Sequence, residues 1–137
     1  MTTYTGSCHC GAVAFEIDTD LTKAGVCNCS MCRRRNGLMH RVAPENFRLL
    51  RGEDALALYQ FNTKTAKHHF CKHCGIYPFH QPRLAPEAYA VNVYCLDGVS
   101  DEDVANLEEH GTNLALLIKG TRDAGVRVVA DRHLKRV

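Results

Sequence analysis

Seven of the eight cysteines of this 137-residue chain stand in three short clusters: Cys8-His9-Cys10, Cys27-Asn28-Cys29-Ser30-Met31-Cys32 and Cys71-Lys72-His73-Cys74. Clusters of this kind constrain a fold strongly, because their sulfurs must converge on something. The two pairs supply four thiolates, enough to close one tetrahedral site if they share an ion. The trio supplies three and leaves a coordination position open. Sites with four protein ligands are as a rule structural, and sites with three plus an open position are catalytic.

Which ion is expected depends on the compartment. The opening MTTYTGSCHC has neither a basic n-region nor an apolar h-region, and no apolar run reaches the length of a membrane-spanning helix. A cytoplasmic protein with no membrane partner is therefore expected. There cysteines stay reduced, and clustered cysteines bind metal more often than they form disulfides. A C-x-C pair is also too close for easy internal bridging. Zinc is the expected ion, with an iron–sulfur cluster and a disulfide scaffold as the alternatives.

The length allows one domain with a modest core. Trp is absent and there are five Phe and five Tyr, so a mainly aliphatic core is expected, with metal adding stability. The formal net charge of +2 gives no reason to expect a nucleic-acid partner. Alternation of apolar and polar residues predicts strands at Ala12–Ile17 and Tyr89–Leu96, with further short strands at Leu38–Ala43, Phe47–Leu50, Leu56–Phe61, His68–Phe70 and Ile76–His80. Many short strands separated by turn signals predict an all-β domain. Gly11 and Gly75 each follow a cysteine pair, where a positive φ would aim backbone N–H groups at the sulfurs. Ser100, followed by Asp101-Glu102-Asp103, predicts a capped helix ended by Gly111. The domain is expected over residues 1–119, with residues 120–137 as a C-terminal tail.

Cys27, Cys29 and Cys32 can surround one ion from a single loop. The fourth position could take water, a substrate thiol, Cys95, or a histidine among His9, His40, His73 and His80. An alternating strand makes Cys95 more plausible as a small buried apolar residue. An open zinc beside thiolates lowers the pKa of a bound thiol or polarises a carbonyl, and both serve addition of a thiol to an aldehyde. Arg33, Arg34 and Arg35 follow directly. They read either as a solvated basic turn or, for one or two of them, as carboxylate-binding groups that would hold a cosubstrate.

Gly6-Ser7-Cys8-His9-Cys10-Gly11-Ala12-Val13, Cys27-Asn28-Cys29-Ser30-Met31-Cys32-Arg33-Arg34, Phe70-Cys71-Lys72-His73-Cys74-Gly75-Ile76 and Val91-Asn92-Val93-Tyr94-Cys95-Leu96-Asp97-Gly98 resemble, in order, the motifs of the glutathione-dependent formaldehyde-activating enzyme family. The resemblance covers roughly residues 4–117. It implies an Mss4-like, all-β fold and two zinc ions per chain. A structural zinc would match Cys8, Cys10, Cys71 and Cys74, and a catalytic zinc would match Cys27, Cys29 and Cys32. It also implies a carbon–sulfur lyase that joins glutathione and formaldehyde into S-(hydroxymethyl)glutathione. The competing expectations are a non-enzymatic zinc module that contacts protein or nucleic acid through Arg33–Arg35 and the basic C-terminal end, and a metal-storage or redox-sensing role for an oxidisable thiolate trio.

Overall fold

Phe15, Ile17 and Thr19 alternate with Glu16 and Asp18 along the strand that organises one side of the molecule, so one face is buried and the other carries charge. The computed structural model describes residues 1–26, 30–109 and 112–113; for Arg33, Glu109, Thr112 and Asn113 it describes the backbone only. Cys27, Cys29, the expected helix stop at Gly111 and the expected tail from 120 lie outside the described residues.

The first sheet has three antiparallel strands in the order β1 (Thr2–Ser7), β2 (Ala14–Thr19), β4 (Phe47–Arg51). The second has five, in the order β3 (Met39–Val42), β8 (Tyr89–Asn92), β7 (Phe79–Gln81), β6 (Lys67–Cys71), β5 (Leu56–Tyr59). All four pairings in this sheet are antiparallel. A short pair, β9 (Glu108–Glu109) and β10 (Thr112–Asn113), follows. The helices are α1 (Ser30–Arg35) and α2 (Asp101–Ala105). The expected small all-β fold is observed. Among the described residues no helix is long and apolar enough to cross a membrane.

The two main sheets meet through Val13, Phe15, Ile17, Val42, Phe79 and Val91. The buried core is mainly aliphatic, as expected, and an aromatic cluster adds to it. Phe15, Phe47, Phe79 and Tyr89 form a contiguous aromatic cluster, with Phe47 and Tyr89 stacked at 3.9 Å and Phe47 edge-on to Phe79 at 4.8 Å. Few aromatics suffice when they are neighbours, because each buries a large area.

Three local differences from the sequence reading have physical causes. The strand expected over Tyr89–Leu96 stops at Asn92, whose side chain accepts from the Tyr94 N–H and turns the chain into a single 3₁₀ turn at Val93–Cys95. The strand expected from Ile76 begins at Phe79, because Pro78 has no N–H for the ladder. Ser30–Arg35, expected as loop and basic turn, is a six-residue helix. It ends at Asn36 in the left-handed region (φ 57°), with the Asn36 N–H on the Cys32 carbonyl at 2.8 Å.

Candidate metal centre

Cys8 and Cys10 lie on the turn between β1 and β2, and Cys71 and Cys74 on the turn that leaves β6. The two turns are built alike. In each, the first cysteine's N–H donates to the carbonyl five residues on: Cys8 to Val13 at 3.0 Å and Cys71 to Ile76 at 2.8 Å. The glycine N–H closes the turn in both, Gly11 on the Cys8 carbonyl at 3.2 Å and Gly75 on the Cys71 carbonyl at 2.8 Å. Both glycines hold positive φ, 81° and 76°, as the sequence predicts. That conformation leaves backbone N–H groups aimed at sulfur. Val13 N–H donates to Cys8 Sγ at 3.3 Å, Ala12 N–H to the Cys10 thiol, and Ile76 and Cys10 N–H to the Cys74 thiol.

The four sulfurs converge. Cys8 Sγ stands 3.6 Å from Cys10 Sγ, Cys10 Sγ stands 3.7 Å from Cys71 Sγ, and all four sulfurs lie within 4.8 Å of one another. Sulfurs about 2.3 Å from a tetrahedral zinc are about 3.8 Å apart, whereas disulfide-bonded sulfurs are about 2.05 Å apart. The spacing fits thiolates around a metal such as zinc and does not fit disulfides.

The electrostatics agree. Burial pushes the Cys74 thiol up, but the Cys10 and Ile76 N–H groups and the Cys71 and Cys10 thiols outweigh it and draw it down to about 6. The Ala12 N–H lowers Cys10, yet burial and its three cysteine neighbours leave it raised to about 11. One thiolate thus makes the next costlier to form, and a bound cation relieves that repulsion. Cys95 packs against the same core outside this group of four, its thiol pushed up to about 12, chiefly by burial and then by the nearby Cys8 and Cys74 sulfurs.

Of the cysteine trio, Cys32 is buried on α1, and Cys27 and Cys29 lie outside the described residues. Arg34 is exposed and turns its Nη1 back onto the Ser30 carbonyl at 2.7 Å. Arg33 belongs to the same helix, its side chain outside the description. Arg35, one turn beyond Cys32, points inward. Its guanidinium carbon sits 3.2 Å from the centroid of the Tyr77 ring, and its Nη1 is 3.2 Å from His68 Nδ1. Among the other ligand candidates, His9 and His73 are exposed. His40 uses both ring nitrogens inside the core, Nε2 with Thr19 Oγ1 at 2.8 Å and Nδ1 with the Lys23 carbonyl at 2.6 Å.

His80 is buried, and its Nδ1 shares a short hydrogen bond with the Tyr77 hydroxyl. His68 and His80 face each other across β6 and β7 and stack at 5.5 Å, and His80 stacks on Tyr77 at 5.5 Å. Asn92 holds this group from behind, its Nδ2 donating to the Tyr77 carbonyl at 3.0 Å. Sequence reasoning named His80 but missed Tyr77 and His68 as its partners. The available signal was a pair of histidines at strand positions otherwise filled by apolar residues.

The chain matches the family model described as glutathione-dependent formaldehyde-activating enzyme over residues 3–110. It is also similar to a crystal structure of a Rhodobacter sphaeroides protein from a structural genomics programme. The two are 45% identical with a TM-score of 0.71, over 77% of this chain and 98% of that one.

Proposed function

This chain belongs to the glutathione-dependent formaldehyde-activating enzyme family, and from that premise we propose that it is a cytoplasmic, zinc-dependent carbon–sulfur lyase. Its substrates are glutathione–aldehyde adducts, and its reaction is that of an S-(hydroxymethyl)glutathione synthase. One observation carries the reading beyond the family description. Cys8, Cys10, Cys71 and Cys74 complete a four-sulfur set by themselves, so the Cys27–Cys29–Cys32 motif is left over for a second zinc with an open position. A zinc ion held by that trio would supply a positive charge that favours the thiolate form of an incoming thiol.

The chain's own residues do the rest. Arg33 and Arg34 are the groups assigned to a carboxylate of the thiol cosubstrate, for which a guanidinium fork is suited.

Cobalt substitution tests the reading. Two cobalts per chain are expected, with the thiolate-to-metal charge-transfer band of one changing as glutathione is added. Cys29→Ala should remove that responsive metal and the activity while the fold persists. Two cobalts that both ignore glutathione would overturn the enzyme reading and favour a zinc module that contacts a macromolecule.

A further inference from the structure

The strands at the edges of the two main sheets are not finished alike. A strand edge offers unpaired N–H and C=O groups to another chain, and natural proteins blunt it with cover, charge or proline. β1 is covered: the Asp97 N–H donates to the Thr5 carbonyl at 2.8 Å, and Gly6 bridges to Leu96. β3 is covered by Gly25, which exchanges hydrogen bonds with Met39 at 2.7 and 2.8 Å. β4 carries Arg48 and Arg51. Among the described residues β5 has none of these protections. It ends the five-stranded sheet, it reads Leu56-Ala57-Leu58-Tyr59 with no charge and no proline, and Leu58 and Tyr59 are 50% and 45% exposed.

The ladder decides which backbone groups of β5 point outward. The Lys72 N–H donates to the Ala55 carbonyl at 2.9 Å, and the Cys71 N–H turns away to the Ile76 carbonyl. Leu56, opposite Cys71, therefore does not bond to β6, and neither does Leu58, two residues on and opposite His69. The Leu56 N–H is used locally, on the Glu53 carbonyl of the 3₁₀ turn Glu53–Ala55. Along the edge there remain the Leu56 C=O, both backbone groups of Leu58 and, one step further, the Gln60 N–H. Charge runs from acidic to basic along the same strand. Glu53 and Asp54 stand exposed at its start, and Lys64 stands exposed on the turn after it. That turn is fixed by the Lys64 N–H on the Phe61 carbonyl at 2.9 Å and by Gln60 Nε2 on the Lys64 carbonyl at 2.8 Å.

We propose that β5 is a self-association edge, on which a second copy of this chain pairs antiparallel about a twofold axis at Leu58. In that register Leu58 faces Leu58 of the second copy and exchanges both N–H···O bonds with it. The Gln60 N–H of each copy donates to the Leu56 carbonyl of the other. The bonds use only backbone groups that β5 leaves outward. The same register brings Glu53 and Asp54 of each copy beside Lys64 of the other, whereas a parallel pairing sets like charges together. An acidic start and a basic end complement each other only when the strand runs against itself, and this favours a second copy over an unrelated strand. The contact is small, so the dimer is a weak and reversible one.

Sedimentation equilibrium of the zinc-loaded full chain, from about 5 to 500 μM, tests the proposal. A reversible monomer–dimer equilibrium is expected, weakened about threefold when NaCl is raised from about 50 to 500 mM. Leu58→Lys sets two ammonium groups together at the axis and should leave a monomer. Lys64→Glu and Glu53→Lys should each weaken the dimer about fivefold, and the double variant should restore it, because the exchanged charges still meet between copies. One readout needs no variant. In amide hydrogen exchange the Leu58 N–H should slow as protein concentration rises, while the Ala57 N–H, already bonded to β6, should not change. A chain that stays monomeric up to 500 μM would overturn the proposal. So would a dimer that survives Leu58→Lys, or a dimer in which the Leu58 amide exchanges as fast as in the monomer, since either places the contact elsewhere. A monomeric chain whose Leu58 amide is slowed by an uncharged extended hexapeptide would assign the edge to a peptide partner and overturn self-pairing.

Discussion

Gly52 shows how little room a single position can have. It holds φ at 91°, and a Cβ there would come within 2.2 Å of the Ala12 carbonyl oxygen and 2.7 Å of Val13 Cα, both backbone atoms of the first cysteine turn. Backbone cannot swing aside as a side chain can. Gly52→Ala is expected to cost about 3 kcal/mol in urea unfolding and to loosen the metal bound by Cys8 and Cys10. His40 gives a residue-scale pH effect. Burial lowers its pKa below 6.5, and the Lys23 carbonyl only partly offsets this. The unfolded chain therefore takes up this proton at a higher pH than the folded one. Stability is full above about pH 6.5 and falls as the pH drops through the folded value. Urea midpoints measured from pH 7.5 down to 5 should show that loss, and His40→Gln should flatten the part of the slope that belongs to this residue. His69, likewise lowered mainly by burial, contributes in the same direction and remains as the residual slope.

At the scale of elements, α2 is held at its start by a full capping box, Asp103 N–H on Ser100 Oγ at 3.1 Å and Ser100 N–H on Asp103 Oδ2 at 2.9 Å. Ser100→Ala should cost about 1 kcal/mol, read as a lower thermal midpoint, with the metal content unchanged. The Ser100 signal was plain in the sequence, whereas the end of the helix was not: Gly111 looked like the stop, yet the chain leaves the helix at Asn106. Strands with an apolar face could be read from alternation, and β2 is the clearest case. β1, TTYTGS, has little alternation to read; it exists because its backbone pairs along the whole of β2. α1 was hidden for the opposite reason. Its cysteines and arginines suggested a ligand loop and a solvated turn, and only tertiary contact, with Cys32 buried and Arg35 on Tyr77, shows which side of it faces inward. The four sulfurs of the closed cluster could be grouped from spacing, because a C-x-C and a C-x-x-C each followed by glycine make like turns. The Tyr77–His80–His68 group could not, because its members meet only through the register of β6 against β7.

For the whole molecule, the four-cysteine cluster joins the turn at the start of the three-stranded sheet to the end of a strand in the five-stranded sheet, and so ties the two layers together. Metal bound there is expected to contribute to folding directly. Chelation should lower the thermal midpoint sharply, and Cys71→Ala, at a fully buried position, should leave too little stability for a folded protein at 37 °C. Circular dichroism with and without added zinc reads both outcomes, and a Cys71→Ala protein as stable as the parent would remove the cluster from its structural role. The cluster also sets an order of events during synthesis. Cys10 and Cys71 are 61 positions apart, so a ribosome has translated more than half of the chain before the second pair of sulfurs exists. Until then the only other thiols in the chain that Cys8 and Cys10 could share an ion with are those of Cys27, Cys29 and Cys32. The closed four-sulfur set can therefore assemble only after Cys74 has been made.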